Sequence, residues 1–435
     1  MNKITKHPLY TASDKLKKAF AAYGFVLKDD GYSAEALTNQ KDFDVFEISE
    51  ELKCRQIALK GGEYVLRSGL LAANLPELDK KLPIKNIVCG KVYDASDENF
   101  PARLRVEGVW ADKEVSFKDL SRFFDDIVKE VFGLGSKARL EASFGGSYNV
   151  FADFAIEKTV LIGCAGKATW LAKAVLNFEN GDCWAFSFDA DNIALALFCI
   201  DSREALYDNK IAFISAYESS EPYCGGSFLN KAADALRSMG YSRYIGCRIY
   251  RENCYKRMNM FQEEWDANNK GILLEKALGD KVWLPTVLTP AGEEALEANW
   301  QAGEKEVRIF DIAHIYLPGK NGAPPAEKIA LSIKAYAPDL DSKKFRAEID
   351  EFFAKIGITN HFAFPTDMAI AYDQSDTWLL MDEKMRYLEG NYGGISPIAL
   401  KNHGIEAKAF MANLEITPLE EKAAEEYAFT PPELL

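Results

Sequence analysis

The sequence is short of several features that would each announce a function. No apolar run approaches the ~18 residues that a membrane-crossing helix needs, and the start, MNKITKHPLYTASD, has neither the apolar centre of a signal peptide nor an Arg/Ser-rich transit pattern. Residence in the cytoplasm, away from any membrane, is the resulting expectation. Only four histidines occur (His7, His314, His361, His403), and no two are spaced as metal ligands. The eight cysteines form no C-x-x-C pair, and several sit in apolar runs such as VLIGCAG and LALFCI. They are expected to be small buried hydrophobes, not a zinc or redox centre. There is no Lys/Arg-rich run, and the formal net charge is −14. A field of that sign repels nucleic acid, which basic faces bind.

What is present is an ordinary globular composition, 48% hydrophobic and 27% charged, on a chain of 435 residues. That length exceeds one core and suits two or three. The clearest helix signal runs from Ser116 to Phe132, where Leu120, Phe123, Phe124, Ile127, Val128 and Val131 recur at helical spacing and Gly133 stops the run. Ahead of it, IKNIVCGKVYD and RLRVEGVWAD flank the polar loop Ala95–Ala102 and predict two antiparallel strands. Leu16, Phe20 and Tyr23 mark a first helix stopped by Gly24. In the second half the spacing predicts helices over Leu229–Met239 and Ser342–Ile356, a strand in EVRIFDIAHIYL, and a surface tail in the acidic, Pro-containing EEKAAEEYAFTPPELL. The Glu425–Glu426 pair is expected to be solvated. Pro, Ser and Gly cluster near Glu218–Gly226 and mark a boundary, giving domains 1–222 and 223–435. No internal repeat is visible. Strands and helices mix without regular βαβ alternation, which predicts an α+β fold with antiparallel sheets.

Particular segments carry a resemblance. GKVYDASDENFPARLRVEGVWADKEVSFKDLSRFFDDIVKEVFG resembles the second motif of the phenylalanyl-tRNA synthetase α-subunit, a G-x-V-Y-R strand, a loop, a strand ending H-Q-x-E-G, and a helix. CWAFSFDADNIALALFCIDSREALYDNKIAF is similar to its third motif, G-x-A-F-G-L-G-x-E-R-[IL]-A-M-L-x-x-G-I-D-D-I-R-x-[FL]-Y. His7-Pro8-Leu9, Tyr23-Gly24-Phe25 and FDVFEISEELKCR follow the segment that opens the same core. In the second half RIFDIAHIYLP, SKKFRAEIDEFFAKIGI and EGNYGGISPIALKNHGI resemble the central region of the β-subunit, with Ser396 in place of a family histidine. The resemblance implies a class II synthetase-type antiparallel sheet flanked by helices, followed by a second, β-subunit-like α+β domain.

It also implies a depleted site. Class II synthetases neutralise ATP's phosphates with arginines. The one that follows V-Y in motif two is here Asp94, and the E-R of motif three reads Asp191-Asn192. The motif-three glycines read Ser187 and Asp189. The amino-acid pocket segment aligns with EASFGGSYNV, so that Gly145, Ser147 and Asn149 replace two phenylalanines and a glutamate. Glu107 is kept. Alternation sets Arg103, Arg105 and Glu107 on one strand face, consistent either with a ligand cleft or with an exposed sheet face of salt-paired side chains. Asp94 reads as a remodelled ligand contact or a solvated strand end, and Gly145-Gly146 as a widened pocket or a turn. GCAGK lacks the end of a phosphate loop. The expected function is a synthetase-like protein that binds a small-molecule or protein ligand in this cleft, with no catalytic residue, no cofactor and no tRNA. The alternative is an ATP- and magnesium-dependent ligase rebuilt around Arg103, Arg105, Arg139 and Glu107 for another acid, a divergent phenylalanine–tRNA ligase included. Room for the family's N-terminal coiled coil and C-terminal anticodon module is not expected. A homodimer is, with the Leu16–Phe20–Tyr23 stripe at its interface.

Overall fold

The computed structural model describes residues 4–38, 55–143, 146–155, 158–178, 180–258, 271–319, 323–367 and 371–429. Gly145, Cys54 and most of FDVFEISEELKCR lie outside them. Two units emerge, one of Pro8–Tyr207 with Leu274–Gly279, the other of the remaining residues.

The first unit is built on one sheet. After helix α1 (Pro8–Ala22) come β1 (Val26–Asp30), β2 (Ile84–Tyr93) and β3 (Ala102–Asp112), then helix α2 (Phe117–Phe132), then β4 (Lys137–Ala142), β5 (Tyr148–Phe154), β6 (Lys158–Lys167), β7 (Asp182–Asp189) and helix α3 (Ala190–Phe198). The strand order is β1-β2-β3-β7-β6-β5-β4. Only β1 and β2 run parallel; the rest pair antiparallel. Helix α2 starts where the sequence predicts: Ser116 caps it, accepting from Asp119 N while Asp119 bonds back to Ser116 N. All six apolar positions of its stripe are buried.

Alternation along β3 and β7 sends Val106, Gly108, Phe186 and Phe188 to the helix side. There Phe186 stacks on Phe20 at 5.2 Å between ring centres, and Phe25, Phe123, Phe124 and Phe188 complete an aromatic core. A side chain at Gly108 would meet the Phe186 ring at 2.5 Å, so glycine is what admits that ring. Leu16 and Phe20 are therefore spent inside this unit, both wholly buried in the chain itself.

The second unit begins its own sheet with helix α4 (Phe228–Ser238), β8 (Ser242–Arg243), helix α5 (Thr289–Gln301), β9 (Val307–Leu317) and β10 (Ala326–Tyr336). It continues with helix α6 (Ser342–Ile356), β11 (His361–Pro365), β12 (Tyr372–Asp382), β13 (Tyr387–Ile395), β14 (Phe410–Glu415) and helix α7 (Ile416–Phe429). Its order, β8-β9-β10-β14-β13-β12-β11, repeats that of the first sheet, with β8 and β9 as the one parallel pair. Helices α4, α6 and α7 stand at the chain positions of α1, α2 and α3. The sequence shows no repeat because this topology constrains only polarity and length, which many residues satisfy.

Two further expectations are corrected. Residues 416–429 are not a loose tail: Leu419 and Lys422 are buried, and the Glu426 carboxylate accepts from Thr359 N, Thr359 Oγ1 and Asn360 N. Of the cysteines, Cys89, Cys183 and Cys254 are buried, but Cys164 and Cys199 are exposed. No described helix is long and apolar enough to cross a membrane.

Phe20→Ala is expected to destabilise the first unit by about 3–5 kcal/mol, the usual loss for a buried phenylalanine, without changing the chain's association state. Urea unfolding alongside light scattering checks this; a dissociated but stable variant would contradict it.

Candidate functional site

The face of the first sheet opposite the aromatic core is apolar at Val109, Ala111, Cys183 and Ala185 and polar toward the other end of β3 and β7. Register places Glu107, Ser187, Cys164, Asn149 and Glu141 side by side across β3, β7, β6, β5 and β4. One step along, Arg105 pairs with Asp189.

Glu107, 3% exposed, is held on all sides. Its Oε2 accepts from Leu70 N at 2.7 Å and Leu71 N at 3.2 Å, its Oε1 accepts from Ser187 Oγ at 3.0 Å, and Arg105 Nη1 lies at 3.8 Å. That carboxylate fixes the 70–71 segment over the sheet. Arg105 is a quarter exposed, and the distant contact to Glu107 leaves its guanidinium free to take another anion.

At the strand ends the charges are rearranged. Asp94 follows β2 directly and accepts from Arg55 Nε at 3.2 Å and Nη2 at 2.6 Å, and from Ser96 N and Oγ at 2.9 and 2.6 Å. Burial works against its charge, but the Ser96 bonds and then Arg55 hold the carboxyl below its ordinary range. Asp94 is thus neither a solvated strand end nor an isolated negative charge. Asn192 donates to Leu161 O at 3.0 Å and accepts from Arg203 Nη2 at 3.1 Å. Arg203 also reaches Asp97 at 3.0 Å, where Arg103 approaches at 3.5 Å; Arg103 faces Asp189 at 3.8 Å.

Asp191, fully buried, accepts from Tyr207 Oη at 2.6 Å and Leu104 N at 3.2 Å. Burial, then the neighbouring Asp189 charge, push its carboxyl up to about 7 against those two bonds. Asp189 caps α3 through Asn192 N.

The structure therefore gathers Arg103, Arg105, Glu107, Asp94, Asp191 and Asn192 about the ends of β2, β3 and β7. Asn149 lies along the lateral row on β5, three strand positions from β3, about 14 Å at ~4.8 Å per strand, and is not in contact with them among the described bonds. Ser147 stands just before β5, its carbonyl accepting from Ser143 N at 2.8 Å. Arg139 is not part of the group: it lies on the edge strand β4, four strand positions from β3, about 19 Å at ~4.8 Å per strand. There it bonds Asp153 and Glu141 and lies over the Phe151 ring.

Sequence reasoning missed three arginines and a tyrosine. Arg55 and Arg203 come from segments outside the strands they serve. Arg67 is wholly buried, donating to Lys91 O, Ser33 O, Ser33 Oγ and Ala34 O. Its Nη2 would stand 2.8 Å from a side chain at Gly90, the register partner of Arg105. Nothing local in the sequence marks these. Tyr207 had a signal, as the tyrosine that ends the resembled third motif.

A mostly antiparallel sheet with flanking helices and a charged open face defines a class II synthetase core. A family model for the class II tRNA synthetase core domain (F) matches residues 1–216, and one for the phenylalanyl tRNA synthetase beta chain CLM domain matches residues 226–416. The phenylalanine–tRNA ligase alpha subunit of Pelotomaculum thermopropionicum is 26% identical over 246 residues, 49% of this chain and 69% of that one. The alpha subunit from Desulforamulus reducens is 26% identical over 48% of this chain and 68% of its own. Among solved structures, a pyrrolysyl tRNA synthetase of Desulfitobacterium hafniense is similar with a TM-score of 0.38 at 15% identity, over 55% of this chain and 79% of that one. The chain belongs to the phenylalanyl-tRNA synthetase family, its class II core joined to a second α+β region of β-chain type.

Asp191 makes stability depend on pH. Its folded pKa lies above the unfolded one, so between about pH 4 and 7 the unfolded chain releases a proton that the folded chain keeps, and stability falls as pH rises. Above about 7 the loss is complete. Asp191→Asn keeps an acceptor for Leu104 N, turns its amide N–H to Tyr207 Oη, whose proton can go to Ala102 O at 3.3 Å, and removes the charge. It is expected to flatten this slope and to be more stable than the parent at pH 8 by about 1.4 kcal/mol per pKa unit removed. Urea midpoints at pH 5 and pH 8 test this; parallel slopes in parent and variant would refute it.

Proposed function

We propose that this chain is a phenylalanyl-tRNA synthetase-like protein that binds a small acid in its remodelled cleft and does not charge tRNA. One observation carries the reading. At the two places where the resemblance sets phosphate-binding arginines, Asp94 and Asn192 stand instead, and each is occupied by internal partners. The guanidiniums that reach these places, Arg55 and Arg203, are committed to Asp94 and Asp97. Arg105, one strand from Ser187, offers a bidentate partner for a ligand carboxylate instead.

A second reading rests on the same arginines. If a nucleotide displaced them from their carboxylates, Arg55 and Arg203 would bring positive charge to the phosphates, and the chain would be an ATP-dependent ligase for a carboxylic acid. Calorimetric titration with ATP, with and without magnesium, followed by amino-acid-dependent pyrophosphate exchange, separates the two. Two lost charged hydrogen bonds at about 1.5–3 kcal/mol each imply ATP binding weakened about a hundredfold or more. A micromolar Kd together with exchange would establish the ligase instead.

The acidic balance of the chain supports the absence of tRNA binding. Affinity at physiological salt is expected to stay in the nonspecific range of about 10⁻⁴ to 10⁻⁶ M; a gel shift at nanomolar protein would overturn this. A homodimer remains part of the proposal, through a surface other than Leu16 and Phe20, and light scattering at twice the single-chain mass would support it.

A further inference from the structure

The repeated topology allows the two sheets to be compared position by position. Asp189 ends β7 just before α3, as Glu415 ends β14 just before α7. Two residues earlier, Ser187 pairs with Glu107, as Asn413 pairs with Ser332 on β10. Two residues earlier again, Ala185 pairs with Val109, as Met411 pairs with Lys334. In the first unit this last position is apolar, and Val109 and Ala185 join a core with Leu70, Leu71, Ala172 and Leu176. In the second it is charged.

Lys334 is fully buried, with its side chain laid over Gly292 of α5, where any Cβ would fall 2.1 Å from Lys334 Cε. Among the described residues its three donors meet only Met411 Sδ at 3.4 Å and Glu293 Oε1 at 4.0 Å. Glu293, also fully buried, makes no hydrogen bond to any described residue through either oxygen. His403, 3% exposed, sits with Nε2 3.4 Å from Glu293 Oε2 and Nδ1 2.9 Å from Glu297, which Arg257 pairs at 2.6 Å. With Glu297 anionic, the imidazole proton belongs on Nδ1, and Nε2 is an acceptor. Asn413 donates to Thr289 Oγ1 at 3.1 Å and Tyr372 Oη at 2.9 Å, while its Oδ1 is buried without a described partner.

Both Glu293 oxygens, His403 Nε2 and Asn413 Oδ1 are thus buried without a described hydrogen-bond partner. Glu293 stands 4.0 Å from the Lys334 ammonium and 3.4 Å from His403, and Met411 Sδ contacts both Lys334 and Asn413. Each buried polar atom left unmet costs about 1–3 kcal/mol, so the arrangement is stable when something supplies both halves. We propose that the second unit binds a small free α-amino acid at this place, its ammonium donating to Glu293, Asn413 Oδ1 and His403 Nε2, and its carboxylate accepting from Lys334. A zwitterion adds no net charge to the buried site, whereas a lone cation or anion would. Burial, against the opposing charges of Lys334 and Arg257, pushes Glu293 up to about 7, and burial, against the charge of Glu293, pushes Lys334 down to about 8; both regain their charges against a zwitterion. This inference stands apart from the cleft of the first unit and shares no residue with it.

Calorimetry and thermal shift of the full chain with glycine and L-alanine test it, with acetate and methylammonium as half-ligands. Saturable binding of glycine or alanine is expected, weakened at least about tenfold for either half-ligand and in both Glu293→Gln and Lys334→Met. Each substitution removes one charge with little change in volume, so a folding failure of one leaves the other to be read. No saturable binding up to about 10 mM, or binding unaltered in the variants, would overturn the proposal and leave buried water to satisfy the acceptors. Binding lost in Arg105→Ala but kept in Glu293→Gln would move the amino acid to the first unit and overturn it equally.

Discussion

Phe186 lies flat against Phe20 because Gly108 across the strand pair has no side chain to hold it off. That contact fixes which face of the first sheet is inside. A strand has only two faces, so once Phe186, Phe188 and Val106 turn toward the helices, Ser187, Asp189, Arg105 and Glu107 must turn the other way. The polar row, the bonding of the 70–71 backbone to Glu107, and the crowding of arginines and carboxylates at the strand ends all follow from that single assignment. A slip of one residue would exchange the two sets wholesale.

Within the polar face, most charges are paired with one another. Asp94 and Asn192 each meet an arginine from elsewhere in the chain. The result is a set of closed ion pairs about the strand ends. Partly buried pairs of this kind are hard to open, because separating them strands a charge in a poorly solvated place. Arg105, whose contact to Glu107 is long, is the exception that leaves the face chemically open.

The second unit answers the same geometry differently. Its sheet repeats the strand order of the first, but helix α5 supplies Glu293 where the first unit supplies leucines. Shared topology with opposed chemistry at matching positions is what is expected when a fold constrains polarity along strands and leaves individual contacts to the residues.

Much of the local structure was legible. Period-3.6 stripes in α2 and α6, with Ser116 and Gly133 at the ends of α2, and the alternation in β2 and β3, arise from interactions between near neighbours, which sequence records directly. The candidate cleft was legible in its strand residues, Arg105 and Glu107, for the same reason. Arg55, Arg67, Arg203 and the Glu293–Lys334–His403 group were not, since each acts on a partner tens of residues away. The stripe of α1 was legible as a stripe, but whether it faces another chain or its own sheet depends on what lies opposite, and the fold set Phe186 there. The sequence by itself determined which segments are helix or strand and which side of each is apolar, because those are properties of consecutive residues. Only the tertiary structure decided which charges meet and which are buried, because those are set by long-range packing that brings distant residues within a few ångströms.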